Sequence, residues 1–139
     1  MYSSLLLVHA FLALSILLLI PATIIVSFTH SKLSGKLGLF SMIGTHTQLL
    51  IGLYLYFAGN MGYTLFQVEG VMKEAHLRFY SVEHLLTMVI AVILATLARR
   101  KWKKENANSA SHKGSAILWM LTLILIASRI PWDRWPFIS

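Results

Sequence analysis

The sequence predicts an all-α integral membrane protein folded as a four-helix bundle, and three observations carry that prediction. Of its 139 residues, 57% are hydrophobic and only 12% are charged, with a mean hydropathy of +0.70. The apolar residues gather in four blocks, roughly 5–28, 37–57, 79–97 and 115–130. The cations lie between those blocks or at their ends. A segment needs about 20 apolar residues to cross a hydrocarbon core about 30 Å thick. The first three blocks reach that length; the fourth is shorter and closes on Pro131-Trp132, an interfacial anchor. The runs are continuous rather than alternating, which argues against a strand barrel.

The first helix is expected over 3–28. Its apolar run is longer than the roughly 7–15 residues of a signal-peptide core. No basic residue precedes it and no small-x-small cleavage site stands out after it, so it reads as a mature helix. The second helix is expected over 37–58, the third over 78–98 and the fourth over 115–130, all in one membrane domain. The connection from Ala58 to Leu77 is the longest. Gly59, Gly62 and Gly70 interrupt it, and a short interfacial helix is expected near 65–75. The stretch 105–111 is rich in Asn, Ser and Ala and reads as a flexible linker.

Charge sets the expected topology. Lys32, Lys36, Arg99, Arg100, Lys101, Lys103, Lys104 and Lys113 all fall on one side if the chain crosses four times. Only Lys73, Arg78, Arg129 and Arg134 fall on the other. The positive-inside rule then places both termini on the outer, periplasmic side and the two basic loops in the cytoplasm of a bacterial inner membrane. The net charge of +7 raises the question of nucleic acid, but clustering at helix ends assigns the cations to topology and anionic lipid instead. The chain has no cysteine, which removes disulfides, c-type haem attachment and thiolate metal sites.

The chemistry rests on three histidines inside the apolar blocks: His9, His46 and His84. An intramembrane ionisable residue is costly and marks a ligand, a proton relay or an interhelix contact. His84 lies six residues past Arg78, about 9 Å below the outer end of its helix, and His9 lies at a similar depth. Two imidazoles at matching depth on different helices suit the two faces of one haem, and bundle cores hold cofactors in this way. His9 and His84 are therefore the candidate axial ligands. His46, near the middle of the second helix, is the alternative ligand or a hydrogen-bond donor to a quinone. Gly44, Gln48 and Gly52 share a face of that helix, where a flat macrocycle or another helix can approach closely.

Arg78 and Arg129, at the outer ends of their helices, are candidate partners for haem propionates, since guanidinium matches carboxylate geometry. Interfacial snorkelling is the competing reading. Glu83 cannot face the same spot as His84, and a bridge to Arg129 is its simplest use. A zinc site of three imidazoles is a further option for the histidines, and purely structural bridging is another. His30, His76 and His112 fall in loops and are expected to be solvated. Tyr54, Tyr56, Phe57, Phe79, Tyr80, Trp132, Trp135 and Phe137 read as an outer aromatic belt, with Trp102 and Trp119 marking the inner side. No nucleotide loop, metalloprotease helix or hydrolase elbow occurs.

The runs His46-Thr-Gln-Leu-Leu-Ile-Gly-Leu-Tyr-Leu-Tyr-Phe57 and Arg78-Phe-Tyr-Ser-Val-Glu-His84, with the late Ile130-Pro-Trp and the early histidine, resemble a bacterial family of small four-helix cytochrome b-like membrane proteins. The resemblance spans nearly the whole chain and implies haem binding. The architecture is also similar to that of the small four-helix bacterial protoporphyrinogen oxidase, although that enzyme's characteristic sequence is not found. Three functions are therefore in contention. The first is a b-haem protein passing electrons between quinol and a partner near the outer face, working beside another membrane subunit or as a homodimer. The second is a haem-dependent membrane oxidase. The third is a cofactor-free structural or assembly subunit of a larger membrane complex.

Overall fold

A computed structural model describes residues 1–29 and 32–134. Four helices make up the bundle among these residues: α1 (Tyr2–Phe28), α2 (Leu33–Ala58), α3 (Ala75–Ala107) and α4 (Lys113–Ser128). Each packs on its neighbour in chain order and α1 closes on α4, giving an up-down-up-down ring. The start of α1, the segment after α4 as far as Arg134 and the α2–α3 connection lie at one end of the bundle, and the start of α2 and the α3–α4 connection lie at the other. His30, Trp135 and Phe137 are outside the described residues.

By length and composition, α1, α2 and α3 can each cross a membrane. At 1.5 Å per residue the 16 residues of α4 rise about 24 Å, short of the hydrocarbon core. The helices carry their apolar side chains outward as well as inward. Leu18, Ile25, Leu50 and Ile124 are all more than 60% exposed, an outer surface consistent with a membrane protein.

The interior is built from small residues. Ala91, Ala95, Ala98, Ala116, Ser41, Ser115, Thr23 and Thr122 are fully buried. Without a hydrophobic drive between helices in lipid, such residues let backbones close on each other. Their hydroxyls are satisfied locally: Thr45, Ser27 and Thr122 donate to carbonyls one turn back at 2.6–2.8 Å. Thr23 and Ser41 join α1 to α2 at 2.9 Å. One large side chain fills the middle, Trp119, at 1% exposure.

The third helix differs from its expected 78–98 at both ends. It begins at Ala75 and runs through the basic cluster to Ala107. Arginine and lysine are good helix formers, and here the cluster has partners as well. Arg99 donates to the Gly35 carbonyl at 2.9 Å and lies over the Trp102 ring at 4.6 Å. Trp102 in turn donates to Ser34 at 2.7 Å. Glu105, expected in a flexible linker, is helical and buried. Its carboxylate accepts the Ser115 N–H at 3.3 Å, at the start of α4, where the helix dipole favours an anion. His112 also departs from expectation. It is buried, 5.4 Å from the Trp102 ring centroid and 3.4 Å from Ser34. At the other end, the expected interfacial helix near 65–75 is a 3₁₀ turn, Tyr63–Gln67.

Gly35 makes the close approach of α2 to α3 possible. A Cβ there would overlap the Trp102 ring. Gly35→Ala is therefore expected to cost about 1–3 kcal/mol, the range for overpacking a filled site. A lowered thermal midpoint in detergent checks it.

Candidate functional site

The third helix carries an irregularity just before His84. Phe79–Glu83 is π-helical, and regular α-helix resumes at His84. Single π turns inside α-helices occur frequently at functional sites. Here the wide turn lets two demands be met together. Glu83 points to its own side, where it accepts from Arg78 Nε at 2.7 Å and pairs with Arg129 at 3.7 Å. His84 points to α4, where its Nδ1–H donates to the Arg129 carbonyl at 2.7 Å. The carbonyl can only accept, so the proton of the neutral ring is on Nδ1. The lone pair is on Nε2, the arrangement that a metal-ligating histidine adopts.

His84 lines a cavity of about 330 Å³ that reaches all four helices at the end carrying the chain termini. His9 of α1 lines the same cavity. The volume lies at the lower end of the range of about 300–1,000 Å³ for ligand pockets. Leucine, isoleucine, alanine, valine and methionine make most of its wall, with Met61 and Met88 unbranched and adaptable. No Asp or Glu lines it. Tyr2, Tyr56, Tyr80 and Arg134 supply polar tips on its lining.

The second helix meets α1 through the face bearing Gly44, Gln48 and Gly52. Gln48 donates from Nε2 to the His9 carbonyl at 2.9 Å. A Cβ at Gly52 would lie 3.1 Å from His9 Cε1. The imidazole therefore occupies the space that the missing side chain leaves. The His9 Nδ1 atom is buried without a hydrogen-bond partner.

The structure separates His46 from this pair. Its Nδ1–H donates to the Met42 carbonyl at 2.8 Å, and its Nε2 shares, at 3.3 Å, the Thr96 hydroxyl proton whose closer acceptor is the Val92 carbonyl at 2.9 Å. Both ring nitrogens are used within the bundle, and His46 does not line the cavity. The bond joins α2 to α3. Interhelix hydrogen bonds in membranes average about 0.6 kcal/mol. His46→Ala is expected to lower stability by about that amount and to leave any cofactor spectrum unchanged, a result that absorbance and a thermal melt read together.

Arg78 and Arg129 both engage Glu83, and Arg78 also donates to the Met72 carbonyl at 3.0 Å. The Glu83–Arg129 bridge is as the sequence suggests, with Arg78 added to it. Neither arginine lines the cavity. The cation that does is Arg134, 5.8 Å from the Tyr80 ring centroid. Sequence reasoning had grouped Arg134 only with the outer-side cations. Its position depends on the turn at Pro131, which folds the chain back over the bundle end. Among the described residues no cluster of three or more His, Asp or Glu side chains stands close enough to hold a metal ion. The three-imidazole zinc arrangement is thus not assembled there. No protein-family model, curated protein or solved structure matches this chain.

Proposed function

We propose that the protein is a multi-pass membrane protein of a bacterial inner membrane whose cavity holds one b-type haem. His9 and His84 are its axial ligands, and it relays electrons between a quinol and a partner near the outer face. The observation that carries the reading is the state of His84. Its proton is committed to the Arg129 carbonyl, which leaves Nε2 as the bare nitrogen, and the residue lines the same apolar cavity as His9. The residues fit the group on two further counts. His9 Nδ1 makes no hydrogen bond in this structure, and the missing Cβ at Gly52 admits the His9 ring to its place on the cavity wall.

Bound there, a haem supplies one-electron redox chemistry. The chain's own residues do the rest. The Arg129 carbonyl fixes the His84 ring and raises its basicity. The apolar walls exclude water. Arg134, Tyr2 and Tyr80 line the cavity with donors for carboxylate groups, while the Tyr56 hydroxyl is donated to the Ser81 carbonyl at 2.8 Å; Arg134 joins Arg78 and Arg129 as a candidate propionate partner. Basic loops on the cytoplasmic side and both termini outside follow from the charge distribution. A quinone site and a second membrane subunit, or a second copy of this chain, complete the proposed relay.

The test is a reduced-minus-oxidised spectrum and a pyridine haemochrome assay on the full chain purified from membranes. One haem b per chain is expected. A protein with no Soret or α band, expressed with ample haem supply, overturns the reading. A second reading, a cofactor-free scaffold, draws on the hydrogen bonds that His46 and His84 already make within the bundle. Under it, alanine at either position lowers stability and no spectrum exists to change.

A further inference from the structure

Two buried polar atoms on the cavity-lining residues His9 and Gln48 have no hydrogen-bond partner: His9 Nδ1 and Gln48 Oε1. The two residues already touch, because Gln48 Nε2 donates to the His9 carbonyl at 2.9 Å. A carbonyl only accepts, so the amide cannot be reversed. Its NH₂ group faces α1, and its oxygen is left as an unfilled acceptor. A neutral imidazole carries one N–H and one bare nitrogen. With the proton on Nδ1, the unpaired atom of His9 is a donor and the unpaired atom of its bonded neighbour is an acceptor. Leaving both buried and unmatched costs about 1–3 kcal/mol for each group, whereas pairing them removes both penalties.

The two atoms are not bonded to each other in the structure as it stands, and we propose that a side-chain rotation joins them, making Gln48 the positioning residue of His9: its Oε1 then takes the Nδ1–H proton, fixes the tautomer and turns the Nε2 lone pair to the cavity. This assignment rests on the haem reading for its purpose but not for its chemistry. It gives His9 the same electronic state that the Arg129 carbonyl gives His84. The two rings then present matched bare nitrogens from opposite walls, one held by a side-chain amide of α2 and the other by a main-chain carbonyl beyond α4. Gly52, one turn after Gln48, keeps the ring from being pushed out of that alignment.

The experiment is ¹⁵N NMR of histidine-labelled full-length protein in detergent, without haem. The imidazole nitrogen shifts separate a protonated from a bare atom. In the wild type, His9 is expected to be protonated on Nδ1. Gln48→Glu keeps that tautomer, and Gln48→Leu shifts His9 toward the Nε2–H form. A wild-type His9 protonated on Nε2 overturns the proposal on its own, whatever the variants do, and so does an unchanged tautomer in Gln48→Leu. The second arm uses haem-loaded protein. Ligand-supporting partners are worth about 10–100-fold in metal-group affinity, so Gln48→Leu is expected to weaken haem binding by that factor. Gln48→Glu is expected to lower the midpoint potential, because a carboxylate acceptor makes the ligand more electron-rich. Equal affinity and potential across all three proteins overturn the proposal. A wild type that takes no haem defeats the functional reading instead, and the tautomer measurement still decides the role of Gln48.

Discussion

His84→Ala is expected to abolish the low-spin haem spectrum of the purified protein. Two losses combine in this one change. The cavity loses the ring whose Nε2 is set up to accept a metal bond, and the Arg129 carbonyl loses its donor. The second loss alone costs about 0.5–1.5 kcal/mol, which a folded bundle survives. On the proposed haem reading, the first removes a ligand and with it the sharp α band. His84→Gln separates the two effects, since an amide can still donate toward the carbonyl without replacing imidazole as a strong-field ligand. Added free imidazole is expected to restore part of the spectrum in His84→Ala by entering the vacated space. A variant that folds and keeps an unaltered α band would remove His84 from the ligand set. His9→Ala is expected to behave in the same way, without the carbonyl effect.

Trp119→Ala is expected to be the most damaging single change to the fold. The indole is 1% exposed and belongs to one buried cluster with residues of α1, α3 and α4, and it packs against Gly38 of α2. Gly38 has no side chain to fill the void that truncation would leave. Truncating a buried tryptophan costs about 3–5 kcal/mol, a large fraction of the 5–15 kcal/mol that holds a typical domain together. Loss of a monodisperse peak on size exclusion, or a thermal midpoint lowered by many degrees, is the expected readout. Trp119→Phe retains most of the volume and should fall between the two. A midpoint equal to the wild type in Trp119→Ala would show that the bundle is held elsewhere.

The helices were legible because a membrane-scale apolar run admits little else. Continuous stretches such as that of α1, with no charged residue from Tyr2 to Phe28, leave the backbone no way to satisfy its polar groups in lipid except internally. Their inner ends were less legible. A basic, polar stretch looks alike whether it is loop or solvated helix, and the contacts that keep 99–105 helical come from Gly35, Ser34 and Ser115 on other elements. The shared cavity of His9 and His84 could be anticipated because depth follows from counting residues along two helices. The fate of His46 could not, since its partner Thr96 lies 50 residues away on another helix and offers no local signal. The burial of His112 against Trp102 is hidden for the same reason. Arg78 and Arg129 are expected as propionate partners from their height at the helix ends. That both pair with Glu83, and that Arg134 in the 3₁₀ turn Trp132–Arg134 lines the cavity, depends on contacts between elements that height does not reveal.

The wide turn over Phe79–Glu83 makes the spacing of this helix as important as its side chains. Were the same five residues wound as ordinary α-helix with none removed, everything before them would swing by about 100° relative to everything after. Arg78 would then lose Glu83, or His84 would lose its carbonyl, because a regular screw of that length cannot aim both at their present targets. The wide turn absorbs one residue, and its hand-over to regular helix at His84 sets both directions at once.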